Sequence, residues 1–102
     1  MFSREEIAEY RMVRAERVTV TREVCVTPCL LFHAVIASNG GGDADAQLYD
    51  GHGLDSPQLF GLYCLDEMSV PFAWWPPVYF GTGLYVVVGT NCEAVTVHYK
   101  PL

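Results

Sequence analysis

The chain has 102 residues, 51% of them apolar and 18% charged, which describes one ordered domain and leaves no room for a second. Its net charge of -6 lies wholly beyond residue 23: Arg4, Arg11, Arg14, Arg17 and Arg22 are matched by Glu5, Glu6, Glu9, Glu16 and Glu23, while afterwards Lys100 alone faces seven carboxylates. Such a body repels phosphate and argues against direct nucleic-acid binding, and no window approaches the roughly 18 uninterrupted apolar residues of a membrane span.

No basic segment followed by an apolar one opens the chain, so the expectation is a soluble protein assembled in a cytosol, without a membrane partner. Ser3 followed by Glu6 fits a capping box, which predicts a short helix to about Glu16. Ile7, Tyr10 and Arg14 fall on one side of it, but the apolar stripe is thin. Residues 1–17 therefore read either as a frayed tail or as an arm ordered against a neighbouring subunit through Tyr10 and Arg14. The remaining 18–102 form the domain.

From Val18 the period becomes two. Val18, Val20, Val24 and Val26 share one face, and Thr19, Thr21, Glu23 and Cys25 take a solvated one. Pro28 marks a bend or an edge. Leu30 to Ala37 is apolar on both faces apart from His33, an inner strand, and Asn39 to Asp43 is a turn. Ala44, Ala46 and Leu48 then alternate with Asp45, Gln47 and Tyr49. A loop over Asp50–Pro57 leads to a strand from Leu59 to Leu65, a turn at Asp66-Glu67 and a strand from Met68 to Ala73.

Trp74-Trp75-Pro76-Pro77 lacks two amide protons and cannot be a central strand, so it is expected to cross an end of the fold as a stiff connection. The run Gly83 to Gly89 is the most strongly specified strand, with Leu84, Val86 and Val88 on one face and Tyr85 and Val87 on the other. Both faces need cover, which makes Tyr85 and Val87 candidate contacts with a second subunit or a larger assembly. Thr90-Asn91 turns the chain, and Ala94 to Tyr99 closes it with Val95, Val97 and Tyr99 facing in. About seven strands at such spacing predict an all-β fold: a single antiparallel β-sandwich, of jelly-roll or immunoglobulin-like topology, with a short N-terminal helical arm.

Chemistry is sparsely marked. Cys25 and Cys29, four apart in extended chain, lie roughly 13 Å from each other unless Thr27-Pro28 bends sharply. Cys64 and Cys92 stand at strands that could pair across a sheet, yet no metal-ligand spacing appears, and buried free thiols are the expectation. His33, His52 and His98 show no zinc spacing. Ser56, His52 and Asp55 share a loop without a nucleophile elbow, and Asp43, Asp45 and Asp50 read as solvated turn residues before they read as calcium ligands. No catalytic residue, metal or cofactor is therefore assigned. The aromatic group Phe72, Trp74, Trp75, Tyr79 and Phe80 is open to three readings: core, protein interface, or a platform on which sugar rings stack. Trp74, Trp75 and Tyr79 are taken as a contact surface.

The strand from Leu30 to Ser38, the Asn39-Gly40 turn, "DADAQLYDG" (Asp43 to Gly51), "GLYVVVG" (Gly83 to Gly89) and "EAVTVHY" (Glu93 to Tyr99) together resemble the small β-sandwich virion proteins of tailed bacteriophages. The resemblance covers residues 30 to 100; the arm is unmatched, and the Trp74 to Pro77 insert has no counterpart in that pattern. It implies a non-enzymatic structural protein of the virion, assembled in the host cytoplasm, that decorates or cements the capsid or sits in the tail or head-to-tail connector. The implied partners are the major capsid protein or a tail or connector protein, with a homo-oligomeric state. The alternative is a carbohydrate-binding module in which Trp74 and Trp75 hold a surface glycan.

Overall fold

The computed structural model describes residues 13–102 and contains eight strands: β1 (Arg14–Val18), β2 (Arg22–Cys25), β3 (Cys29–Ser38), β4 (Ala44–Asp50), β5 (Gln58–Cys64), β6 (Ser69–Phe80), β7 (Leu84–Val88) and β8 (Cys92–Pro101). They make two four-stranded antiparallel sheets, in the order β1-β8-β3-β6 and β2-β7-β4-β5. The pairs β1 with β8, β2 with β7, β3 with β6 and β4 with β5 are nested, so the chain behaves as one long hairpin wrapped alternately onto the two sheets.

Alternation decides what each sheet turns toward the shared core. β4 buries Ala44, Ala46 and Leu48 and β7 buries Leu84 and Val86, as their period of two predicts. Val95, Val97 and Tyr99 of β8 point inward too. In β3 the phase slips: Cys29 and Leu31 face in, then Ala34 and Ile36, because the register jumps between Leu31 and His33. One extra residue, Phe32, moves the inward set from odd to even positions. The interior is apolar, with no buried polar or charged side chain among the described residues.

Three expectations are corrected. Arg14 to Glu16 are not helical but form β1, because the edge of β8 offers them a ladder from Arg14 opposite Tyr99 to Val18 opposite Val95, and Val18 is fully buried by it. Residues 1–12, including Tyr10 and most of the expected helix, lie outside the described residues. The expected strand over Val18 to Val26 is two strands in different sheets: the chain turns at 19–21, leaving Val20 exposed, and an irregularity between Glu23 and Cys25 turns Cys25 into the core. Finally, Trp74 to Pro77 do not cross an end of the fold but lie inside β6, an edge strand and a place in a sheet where missing amide protons are tolerated.

Candidate interaction surface

On the outer face of the first sheet, β1-β8-β3-β6, the β3 and β6 half is mainly apolar, whereas β8 presents Thr96, His98 and Lys100 and β1 presents Arg17 opposite Thr96. β3 contributes Leu30, Val35 and Ala37, the outward residues of an inner strand, and the register sets Tyr79 beside Leu30, Ala73 beside His33 and Pro71 beside Val35. Partners in register project to the same side of a sheet, so these side chains form continuous rows. The prolines shape the edge. Register runs from Leu31 opposite Val78 directly to His33 opposite Ala73, so Trp74, Trp75, Pro76 and Pro77 arch out opposite the single residue Phe32. The peptide bond between Trp75 and Pro76 is cis.

The arch sends its two tryptophans in opposite directions. Trp74 turns inward, its ring 4.8 Å from that of Phe60 and stacked on Phe72 at 6.5 Å, while Trp75 is 78% exposed. Tyr79 is exposed as well, whereas Phe80 is wholly buried and Phe72 packs against the core. The aromatic group thus divides, with Trp75 and Tyr79 on the surface and the other three supporting the core. Phe32, His33, Ala73, Trp74 and Trp75 line an open hollow of about 360 Å3 beside the arch.

At the centre of the same face His33 and His98 sit in register on β3 and β8, their Nδ1 atoms 3.3 Å apart and their rings edge to face. Partial burial and then the neighbouring imidazole of His33 push His98 below the usual histidine pKa. Sequence spacing could not reveal this pair, since 65 residues separate its members. The only local sign is His33, the polar exception in the apolar run from Leu30 to Ala37.

The other contact candidates are dispersed. Tyr85 and Val87 lie on the outer face of the second sheet, Tyr85 packing edge-on against Tyr49 at 6.4 Å. Arg14 is exposed on edge strand β1 and, with Val24, Val26, Tyr99 and Leu102, borders a second hollow of about 420 Å3. Trp75, Tyr85 and Arg14 therefore belong to different parts of the surface and make no single site.

The polar residues of the turns are engaged locally. Asp43 accepts hydrogen bonds from the Tyr63 hydroxyl and from the Asp66 amide, and these hold its carboxyl below the usual range while the same contact raises Tyr63. Asp45 accepts from the Thr90 amide at 2.7 Å and Asp50 from the Thr82 amide at 2.8 Å. His52 turns its Nδ1 to Glu23 at 3.1 Å, and Ser56 Oγ accepts the His52 backbone amide, so the imidazole does not address the serine hydroxyl. No three His, Cys, Asp or Glu side chains among the described residues are grouped to hold a metal ion.

All four cysteines are free and buried, as expected. The chain bends at 26–28 as it passes from one sheet to the other, and this brings Cys25 and Cys29 together. Burial first, and the neighbouring Cys25 second, push the Cys29 thiol up to about 12.

Comparison with protein-family models, with curated proteins and with solved structures finds no match to this chain.

Proposed function

We propose that this is a non-enzymatic structural protein of a tailed-phage particle, a capsid decoration or cement protein in the first place and a tail or connector component in the second. The observation that carries it is the apolar β3-β6 half of the outer face of the first sheet, where Leu30, Val35, Pro71, Ala73 and Tyr79 stand in rows and Trp75 projects from the arch beside them. A neighbouring subunit would cover what water now meets, and Trp75 supplies the aromatic anchor that such interfaces favour. Nested strand pairs in the orders β1-β8-β3-β6 and β2-β7-β4-β5 are the wrapping of a jelly roll, an architecture widely used in viral shells. The resemblance of the Asp43–Gly51, Gly83–Gly89 and Glu93–Tyr99 segments to small virion proteins supports the same reading.

The test is quantitative mass spectrometry of purified particles together with a low-resolution density map. Copies in a ratio to the major capsid or tail protein that matches a symmetry of the particle support the proposal. Absence from particles, with sedimentation as a monomer that meets no particle protein, overturns it.

A second reading, a carbohydrate-binding module, is favoured by one feature: an exposed indole beside an open hollow, the arrangement on which a pyranose ring stacks. Glycan-array binding that is lost in Trp75→Ala, by a protein not found in particles, selects this reading over the first.

A further inference from the structure

Two inner strands hold His33 and His98 side by side on the outer face of the first sheet, in register and with their Nδ1 atoms 3.3 Å apart. We propose that this pair is a two-nitrogen binding site for a divalent transition cation of the Zn2+ or Ni2+ kind.

The separation is the first argument. Two imidazole nitrogens bound to one tetrahedral zinc, each about 2.0–2.1 Å from the metal, stand about 3.3–3.4 Å apart. The pair already has that spacing and needs ring rotation, not backbone movement, to converge on one ion. Its frame is the inside of the sheet: β3 is flanked by β8 and β6, and β8 by β1 and β3, so neither histidine stands on an edge, and His33 is in register with both neighbours directly after the irregularity at Phe32. Ligands on strands are held more closely than ligands on loops.

The chemistry of the donors selects the cation. Imidazole suits zinc, nickel and copper, whereas calcium and magnesium need clustered oxygens. The register neighbours of the pair are Ala15 and Ala73; the row on one side holds Arg17, Thr96, Val35 and Pro71 and that on the other Lys100, Leu30 and Tyr79, so no carboxylate of these rows adds an oxygen, and the ion must be held by the two nitrogens against the charges of Arg17 and Lys100. In the neutral pair one Nδ1 carries the shared hydrogen. When the ion binds, both rings take the Nε2–H tautomer, and the proton moves to the far nitrogen without being lost. The open hollow that His33 lines with Phe32, Ala73 and the tryptophans would let solvent complete the coordination. The third histidine is otherwise engaged: His52 pairs with Glu23 and provides an internal control.

The test is calorimetric titration of the full chain with Ni2+ alone and with Zn2+ alone, comparing it with His33→Gln, His98→Gln and His52→Gln. One ion per chain is expected, with binding weakened about a hundredfold in either of the first two variants, since each removes the second, intramolecular ligand. His52→Gln is expected to bind like the parent. Imidazole NMR signals of the unmodified protein give a second measure that needs no variant: those of His33 and His98 shift together on Zn2+ addition, and those of His52 stay in place. Binding unaffected by either glutamine, or lost equally in His52→Gln, or unmoved His33 and His98 signals at saturating Zn2+, overturns the proposal and leaves the pair a hydrogen-bonded contact only.

Discussion

Asp45 and Asp50, on the same face-alternating strand β4, clamp the two ends of its neighbour β7. Asp50 accepts the amides of Gly81 at 3.1 Å, Thr82 at 2.8 Å and Gly83 at 3.4 Å where the chain enters β7, and Asp45 accepts the Thr90 amide at 2.7 Å where it leaves. Hydrogen bonds to a charged acceptor contribute about 1.5–3 kcal/mol, more than neutral ones. Asp50→Ala is therefore expected to lower stability by about 2–3 kcal/mol in urea unfolding, and Asp45→Ala by about 1.5–2 kcal/mol. An unchanged midpoint in both variants would show that these turns hold themselves.

The Asp45 clamp leaves no room at Gly89. A methyl group there would stand 2.6 Å from both the backbone carbonyl oxygen and a carboxylate oxygen of Asp45. Gly89→Ala must push back a strand whose amide ladder it also disturbs, and about 1–3 kcal/mol of destabilisation is expected. Thermal unfolding checks it, with a gain in stability as the contrary result.

The two tryptophans should separate cleanly. Trp74→Ala removes a ring packed on Phe60 and Phe72 and is expected to cost about 2–4 kcal/mol. Trp75→Ala touches a largely exposed ring and should stay within about 0.5 kcal/mol of the parent. If Trp75 anchors a partner, attachment to particles weakens at least about thirtyfold, which corresponds to about 2 kcal/mol. A Trp75 variant that unfolds while Trp74→Ala remains stable would reverse the assignment.

The four thiols should be silent in the folded state. Thiolate is the reactive form, and Cys29, pushed up to about 12 by burial and by Cys25, forms almost none near neutral pH. Burial and Cys64 raise Cys92 as well. A chromogenic disulfide reagent is expected to titrate four thiols in urea and to react in buffer only as fast as the fold opens. Immediate stoichiometric reaction of the native protein contradicts this.

Asp43 and Tyr63 make stability depend on pH at both ends of the range. The Asp43 carboxyl is lowered in the fold, chiefly by the Tyr63 hydroxyl, so its contribution is present above its unfolded pKa and is lost as pH falls through the folded one. The Tyr63 hydroxyl is raised by the same contact, so its contribution is present below its unfolded pKa and disappears as pH rises through the folded one. Asp43→Asn and Tyr63→Phe should each flatten the acid limb of a stability profile, the second by removing the donor. An acid limb identical in parent and both variants would assign the slope to other carboxylates.

Much of this molecule is written locally. The alternation of Ala44 to Asp50, the two-faced apolar run of Leu84 to Val88 and the turns at Asn39 to Asp43, Asp66-Glu67 and Thr90-Asn91 are found where the residues indicate. Side-chain period and backbone tolerance are properties of a few consecutive residues, and they survive folding unchanged. Pairing is different. Arg14 to Glu16 become a strand because β8 offers an open edge, and Cys25 faces the core because of an irregularity opposite β7. Trp74 to Pro77 arch out within an edge strand, where mid-strand prolines leave no inner ladder unpaired, and that arch decides which indole meets solvent. The meeting of His33 with His98 depends on the register of two strands far apart in the chain. By itself the sequence determined which residues prefer burial and where the chain turns; the tertiary structure alone decided which segments share hydrogen bonds and in what register, because that free energy is realised only when distant strands close on one another.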